Sequence, residues 1–73
     1  AEYFVVEEIL DYHFDNQSVL YFTVRWCGYD SNDDSHEPGL TLLEDVPGVV
    51  RNYVQSKSPK EHRRLHAWFK RHT

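Results

Sequence analysis

Residues 20–38 read LYFTVRWCGYDSNDDSHEP, and they place an extended segment, a tight turn and an acidic loop in direct succession. Every second side chain from Leu20 to Trp26 is apolar, which is the two-residue period of a half-buried β-strand. Gly28 ends that strand, because a residue without a Cβ is the usual choice at a sharp turn. Tyr29 follows Trp26 by three positions, so the predicted turn presents two large rings from its opposite ends.

The two rings at this turn have two alternative explanations. A domain of this size contains few large side chains and buries most of them, so composition alone favours core packing. Alternatively, rings that stay partly open form the walls of a pocket for a cation, because the face of an aromatic ring carries negative potential. The pattern of the rest of the chain decides between a core and a cation pocket.

The composition describes one small domain. Its 73 residues include a single cysteine, Cys27, so an internal disulfide is excluded and a reducing compartment is favoured. The length is near the lower end of what folds without a metal or a disulfide. No apolar run approaches the length of a membrane span, and the start has no signal-peptide pattern, so we expect a soluble domain without a membrane partner.

The formal net charge of -4 conceals an asymmetry along the chain. Up to Ser56, eleven acidic side chains stand against two basic ones, whereas from Lys57 onward six Lys and Arg residues stand against one Glu. We expect the acidic part to attract a basic peptide and the basic tail to attract nucleic acid. Ordinary solvation of a charged surface is the alternative explanation for both parts.

Three strands are predicted from the chain in order. Tyr3 to Phe14 is rich in strand-forming residues but lacks clean alternation, which predicts a strand that bends or changes face partway. The polar residues 15–18 form a turn, so the first strand and the strand over 19–26 are predicted to make an antiparallel hairpin. A third short strand is predicted over 39–43, after Pro38.

Two helical patterns follow the strands. Four valines and a tyrosine between Val46 and Val54 form one apolar stripe, which needs the sheet for support because so short a helix is marginal alone. Asp45 is predicted to cap this helix, with a proline tolerated in its first turn. A second pattern over 60–72 carries Leu65, Trp68 and Phe69 on one side. That segment docks on the body, extends into solvent or contacts a partner, and the sequence leaves these three alternatives open.

Several separate motifs resemble those of the chromodomain family in order and spacing. The W-x-G-Y motif at 26–29, an acidic spacer and the Glu-Pro pair at 37–38 are similar to the family's signature. The opening stretch at 2–11 resembles the first strand of the family, and residues 42–54 resemble the segment that leads into its carboxy-terminal helix. The resemblance covers most of the chain but not its last eighteen or so residues.

The resemblance implies an α+β fold. A curved three-stranded antiparallel β-sheet with a carboxy-terminal α-helix packed across it is expected for the chromodomain, over residues 2–56. Residues 57–73 are then a basic helical extension or tail. Similar domains occur in chromatin proteins and at the carboxy end of retrotransposon integrases, and both hosts stay open at this point.

The resemblance also implies an aromatic cage for a di- or trimethylated lysine of a histone tail. The cage position of the first strand falls on Phe4, where the family more often has a Tyr, and the other two positions fall on Trp26 and Tyr29. Asp33 matches the acidic position that flanks the cage in many members. The cage is a binding site, so no catalytic residue, metal or cofactor is expected.

The bound peptide is expected to add as a β-strand between residues 3–6 and 39–42, using main-chain hydrogen bonds for affinity. The residues that the resemblance assigns to this clasp are Tyr3, Val5, Val6, Glu37, Gly39, Leu40 and Thr41.

Two positions depart from the family's pattern. His36 stands where a structural Trp is usual, which affects stability more than binding, and Thr41 stands where many members have an Asn that bonds the peptide backbone.

No arrangement of residues supports an enzyme. His62 and His66 have the spacing of two metal ligands on a helix, but no third ligand stands at a suitable spacing, so a solvated helix face is favoured. Cys27 has no base and orienting group beside it, so a packing role for its small side chain is favoured over a role as nucleophile. No glycine-rich phosphate-binding loop is present.

Three functional hypotheses follow. The first is a nuclear, monomeric, non-enzymatic reader of a methylated histone tail peptide. The second is binding of DNA or RNA by the basic tail, alone or together with the reader. The third is a docking or self-associating module that uses the stripe of Leu65, Trp68 and Phe69. The residues expected to contact nucleic acid are Lys60, Arg63, Arg64, Lys70 and Arg71.

Overall fold

The computed structural model describes residues 4–73 as a β-sheet covered by helices. Within these residues the strands are β1, Val6–Phe14, β2, Leu20–Trp26, and β3, Ser35–Pro38. The α-helices are α1, Gly39–Asp45, α2, Pro47–Gln55, and α3, Arg63–Arg71, and a short 3-10 helix at Ser31–Asp33 precedes β3. The sheet is antiparallel, with the order β1-β2-β3. The predicted α+β fold, a three-stranded antiparallel sheet followed by helices, is confirmed.

A tight turn joins β1 to β2, as predicted. The Asp15 carboxylate accepts hydrogen bonds from the backbone N–H groups of Gln17 and Val19, at 2.8 and 2.9 Å. An Asp side chain stabilises a turn in this way. The pairing of β1 with β2 shifts register between positions 6 and 8 and again between positions 9 and 11. These irregularities confirm that the first strand bends or changes face partway. The strand is shorter than predicted, because β1 begins at Val6 and leaves Phe4 and Val5 outside it.

The prediction of a third strand over 39–43 is wrong. The third strand is Ser35–Pro38, and its last residue is a proline, which has no N–H to continue a ladder. Helix α1 begins at Gly39, whose backbone lies so close to the Trp68 side chain of α3 that a Cβ would be 2.8 Å from Cζ2 of that ring. A short apolar run is ambiguous between strand and helix. Here Gly39 and Leu42, three positions apart, are both buried on one face of a helix.

The core lies between the inner face of the sheet and the helices. Strand β2 contributes Leu20, Phe22 and Val24, each no more than 2% exposed. Helix α2 lays Val50 and Val54 on this surface, and both are buried. The alternation along β2 and the valine stripe of α2 are therefore confirmed as the two faces of one core.

The amino-terminal cap of α2 differs from the prediction. The cap residue is Val46, which makes no side-chain cap hydrogen bond, and Pro47 is the first helical residue. Asp45 is instead the last residue of α1. The prediction that Asp45 caps α2 is wrong because α1 extends up to it and leaves a single residue to link the two helices.

Helix α3 docks on the body of the domain. Leu65 is fully buried and Trp68 is 6% exposed, and the Trp68 ring meets the Phe22 ring edge-on at 5.7 Å. Before the helix, Nδ1 of His62 and the Tyr12 hydroxyl form a hydrogen bond of 2.6 Å. Leu65 and Trp68 belong to the core of their own chain, and Phe69 is partly buried against it, so most of the predicted docking stripe is covered.

Candidate aromatic binding pocket

Three aromatic rings from two separate parts of the chain converge beside the end of β2. The Phe4 ring lies with its centroid 6.0 Å from that of Trp26, at an interplanar angle of 70°. It lies 5.9 Å from the Tyr29 ring, at 37°. Phe4 is 59% and Tyr29 49% exposed, whereas Trp26 is half-buried and packs against the core. Phe4 and Tyr29 therefore keep open faces, and Trp26 contacts the core without being fully buried.

The backbone places these rings together. The N–H of Cys27 donates a hydrogen bond of 2.8 Å to the carbonyl of Val5, which fixes the segment next to Phe4 against the end of β2. The N–H of Tyr29 donates to the carbonyl of Trp26 at 3.1 Å and closes the turn between them. Gly28 has a φ of 82° in that turn, a left-handed conformation that residues with a Cβ rarely adopt. The sequence W-x-G-Y forms this turn because glycine permits the left-handed conformation.

A chain of hydrogen bonds fixes the orientation of the Trp26 ring. Its indole Nε1–H donates to the Ser35 hydroxyl at 2.8 Å, and that hydroxyl donates to the Glu37 carboxylate at 2.7 Å. Ser35 was not predicted as a site residue from the sequence. No signal in the sequence indicates it, because the third strand is predicted only after Pro38. In the structure Ser35 lies on β3, two residues before Glu37, so both side chains are on one face of the sheet.

The three rings line one open pocket together with polar groups. The pocket has a volume of about 420 Å³, and its lining residues are Phe4, Trp26, Tyr29, Asp33, Ser35 and Glu37. Two of these residues carry carboxylates, so aromatic faces and negative charge occur in the same pocket. Such a pocket attracts a weakly hydrated cation by cation–π and longer-range electrostatic interactions.

A groove continues from the pocket toward the helices. It has a volume of about 300 Å³ and shares Phe4, Trp26 and Glu37 with the pocket. Val6 lines one side of this groove, and Thr41 lines it from α1. The sequence-predicted residues Val6, Glu37 and Thr41 are therefore brought together beside the rings.

Other predicted peptide contacts lie elsewhere. Gly39 is buried, and Leu40, which is 54% exposed, lines a different cleft beside Trp68. Val5 is exposed next to Phe4. Tyr3 lies outside the described residues. Because residues 39–42 are helical, they offer no extended backbone edge on which a peptide strand would pair.

An ion pair holds the acidic loop to β2. The Arg25 guanidinium donates from Nε and Nη2 to the two oxygens of the Asp34 carboxylate, at 2.5 and 3.0 Å. This hydrogen bond with Arg25 lowers the pKa of Asp34, and the same contact raises the pKa of Arg25. The forked geometry orients the loop that carries Asp33 to the rim of the pocket.

His36 lies on the outer face of the sheet and does not fill a core position. Its ring is exposed and lies 5.2 Å from the ring of His13 across the sheet, at 62°. The same His13 ring stacks on Tyr21 at 5.5 Å. Since neighbouring strand residues point to opposite faces, His36 points away from the pocket that its neighbour Glu37 lines.

The structure places no metal site and no membrane span in the part of the chain that it describes. Among residues 4–73, no group of three or more His, Cys, Asp or Glu side chains is arranged to hold a metal ion. His66 instead forms a hydrogen bond of 2.6 Å between its Nε2 and the carbonyl of Lys57. No helix in this range has both the length and the apolar character needed to cross a membrane.

The predicted nucleic-acid contacts lie at the opposite end of β2 from the rings. Helix α3 packs beside Leu20, the first residue of β2, whereas Trp26 is the last. Six residues of strand separate these ends by about 20 Å. The predicted contacts are all exposed: Lys60, Arg63, Arg64, Lys70 and Arg71.

Comparison with known proteins matches most of this chain to one family. The model of the Chromo (CHRromatin Organisation MOdifier) domain matches residues 4–56. That range contains all three rings, the acidic loop and helices α1 and α2. It ends before α3, which begins at Arg63.

Two proteins similar to this chain are far longer than it. M-phase phosphoprotein 8 of Homo sapiens is 46% identical over 50 residues, a match covering 68% of this chain and 6% of that protein. DNA (cytosine-5)-methyltransferase 3 of Zea mays is 34% identical over 55 residues, covering 71% of this chain and 6% of that protein. The similarity therefore concerns one small region of each relative.

Proposed function

Since this chain belongs to the chromodomain family, we propose that it is a non-enzymatic chromatin reader that binds a di- or trimethylated lysine of a histone tail. Chromodomains are in general binding modules that act at chromatin. The observation that carries the proposal is the convergence of Phe4, Trp26 and Tyr29 on one pocket, with ring centroids 6.0 and 5.9 Å from that of Phe4. In this proposal the three rings are the cage and the pocket holds the methylated ammonium.

The chemistry of the pocket favours a methylated ammonium over an unmodified one. Methyl groups spread the positive charge and bring apolar surface to the rings, so the group combines cation–π attraction with apolar burial. Each good ring contributes about 0.5–2 kcal/mol to such a contact. The carboxylates of Asp33 and Glu37 add attraction for the cation. An unmodified ammonium is strongly hydrated and gains less from entering.

The rest of the peptide is proposed to lie in the groove that leaves the pocket. Its main chain would pair with the backbone of residues 4–6, and its side chains would meet Thr41 and the α1–α2 junction opposite. This arrangement replaces the two-sided clasp expected from the sequence, because residues 39–42 form part of a helix. A basic histone tail matches the acidic body of the domain in charge, and a nuclear location follows from this partner.

The test is a calorimetric titration of the full chain with histone peptides that differ only in lysine methylation. We expect saturable binding of the trimethyllysine peptide and much weaker binding of the unmodified one. Trp26→Ala is expected to weaken binding tenfold or more, at about 1.4 kcal/mol per tenfold change. Tyr21→Ala, which removes a ring from the outer face of the same strand, is the matched control and is expected to leave affinity unchanged. Equal affinity for the two peptides contradicts the proposal.

A neutral isostere separates cation recognition from apolar packing. In this peptide a tert-butyl carbon replaces the quaternary nitrogen, so that shape is kept and charge is removed. We expect the isostere to bind more weakly than trimethyllysine, because cation–π attraction and the pocket carboxylates act only on charge. Equal binding of the two would show an apolar pocket without cation recognition.

A further inference from the structure

We infer that the exposed face of α3 is a second binding surface, which contacts the phosphate backbone of duplex DNA independently of the aromatic pocket. The residues that form it are Arg63, Arg64, Lys70 and Arg71 of the helix, together with Lys60 in the turn before it, here called the tail cations. All five are exposed. The nine-residue helix itself, RRLHAWFKR, contains no acidic residue.

Helical geometry gathers these charges on one side. At about 100° per residue, Arg63 and Lys70 fall on one edge of the exposed face and Arg64 and Arg71 on the other. The small side chain of Ala67 lies between the two edges. The buried residues of α3 are Leu65 and Trp68, which lie beyond Arg64 on the side away from Ala67. Each pair of cations spans about 10 Å along the helix, so the face is a short, rigid, positive strip.

Two of the tail cations lie where positive charge does not stabilise the helix. Lys70 and Arg71 lie in the last turn, where positive charge complements the helix dipole. Arg63 and Arg64 are the first two helical residues, where the dipole disfavours positive charge. No side chain caps this end of the helix. Helix stability therefore explains the cations at one end only, and an external anion explains both ends.

None of the tail cations forms an ion pair within the described part of the chain. Among residues 4–73 the ion pair within 4.0 Å is that of Arg25 with Asp34. The Glu61 carboxylate lines the same cleft as Lys60, Arg63 and Arg64 but forms no ion pair with them. The Arg64 guanidinium lies 4.0 Å from the centre of the Phe14 ring, which fixes its position without neutralising it. Two clefts of about 360 and 320 Å³ meet at Arg64 and Phe14. Positive charge is thus held in place on a concave surface.

Duplex DNA fits this surface better than a single strand does. Proteins that bind single strands stack bases on open aromatic rings, but Trp68 is buried and the Phe14 ring is covered by Arg64 on this face. A strip of cations without open rings contacts phosphates and does not distinguish one base sequence from another. The expected binding is therefore independent of sequence and strongly dependent on salt.

The test is fluorescence anisotropy of the full chain with a labelled DNA duplex of about 20 base pairs across a salt series, a length above that of the strip. If four phosphates are neutralised, affinity should fall about a hundredfold between 50 and 200 mM salt, by the rule of about 0.9 in slope per phosphate. Arg63→Gln is expected to lower that slope by about 0.9. Arg51→Gln, the matched removal of an exposed cation from α2, is expected to leave the slope unchanged.

The double variant Arg63→Gln with Lys70→Gln should lose about 1.8 in slope while its circular dichroism stays that of the parent chain. Three results would overturn the inference: no duplex binding at low salt, equal losses in the Arg51 and Arg63 variants, or tighter binding of a single strand or of polyglutamate. Trp26→Ala is expected to bind duplex DNA as the parent does. Failure of the methyllysine proposal and failure of this inference are therefore distinguishable.

Discussion

The Trp26 side chain is held in one orientation and still lines the binding pocket. One edge of the indole donates a hydrogen bond to Ser35 and packs toward the core, while the ring also lines the pocket. A ring held in this way loses little conformational freedom when a ligand enters, so less binding energy is lost to ordering. The pocket is therefore largely formed before binding.

The pocket residues differ in how far the sequence revealed them. Trp26 and Tyr29 stand out from the residues of their turn, whereas Phe4 is implied only by the family resemblance, and the structure brings the three rings together. Ser35 was not expected, because a serine in a polar loop is ordinarily solvated and its contact with Trp26 crosses between strands. Pairwise contacts of this kind depend on register, which local sequence does not specify.

A first prediction concerns the turn that carries two of the rings. Gly28→Ala is expected to lower the free energy of unfolding by about 1–2 kcal/mol, because φ there lies in the left-handed region. Affinity for a trimethyllysine peptide should also fall, by about five- to tenfold, as Tyr29 shifts. Denaturant unfolding and calorimetry measure the two effects. Gly28→Asn, which tolerates this conformation better, should be milder in both, and equal effects of the two variants would contradict this explanation.

A second prediction concerns the ion pair of Arg25 with Asp34. The pKa of Asp34 is lowered in the folded state from an ordinary value of 3.8 by its hydrogen bond with Arg25. Its contribution to stability is therefore present above that value and is lost as pH falls below it. Arg25 has a raised pKa, so its own contribution persists throughout this range.

The measurement is thermal unfolding of the parent chain and of Asp34→Asn across acidic and neutral pH. The variant is expected to be less stable at neutral pH, with the difference narrowing as pH falls below about 4. Asp30→Asn, in the same loop, tests a carboxylate that caps the 3-10 helix instead. A difference in thermal stability between the parent chain and Asp34→Asn that stays constant down to the lowest pH would contradict this explanation.

The secondary-structure elements whose apolar residues repeat regularly were predicted from the sequence. The element whose state is ambiguous in the local sequence was not. The alternation of β2 and the valine stripe of α2 each bury one face, and both elements were expected. The segment over 39–43 carries a short apolar run that suits strand or helix. Gly39, its first residue, lies close to Trp68, a residue far along the chain whose position the local sequence does not indicate.

A third prediction tests this approach between α1 and α3. Gly39→Ala is expected to destabilise the domain by about 1–3 kcal/mol, because its Cβ would lie 2.8 Å from the Trp68 ring. Gly48→Ala is the matched control, since a Cβ there meets nothing within 4 Å. Gly48→Ala should raise the free energy of unfolding by about 0.4–1 kcal/mol, because alanine leaves the unfolded chain less conformational freedom than glycine does. Chemical denaturation of both variants measures these opposite signs, and the same sign for both would contradict the packing described.

On the scale of the whole molecule, the core extends beyond the segment that the family model matches. That match ends at residue 56, yet Leu65 and Trp68 of α3 complete the core. The sequence left the role of the tail open because a helix with one apolar side can dock on its own chain or on a partner. Only the three-dimensional arrangement shows which surface it covers.

A fourth prediction follows for a chain that ends at residue 56. Removing Leu65 and Trp68 exposes apolar core, and single truncations of such residues cost about 2–5 kcal/mol each. A domain of this size has a stability of about the same order, so the shortened chain is expected to lose its cooperative thermal transition. A chain ending at Arg71 serves as the control and should melt as the full chain does. Identical melting of the chain ending at residue 56 would show that α3 is not part of the folded unit.

The most direct test of the central claim is the NMR signal of the Trp26 indole Nε1–H during titration with a trimethyllysine histone peptide. This proton is bonded to Ser35 at the wall of the pocket, whereas the indole of Trp68 lies in the core at the other end of the sheet. We predict that the Trp26 signal shifts and saturates with the trimethyllysine peptide, while unmodified peptide leaves it in place and Trp68 serves as an internal control. A Trp26 signal that stays still while the methylated peptide binds, or that moves equally with both peptides, would contradict recognition of methyllysine in this pocket.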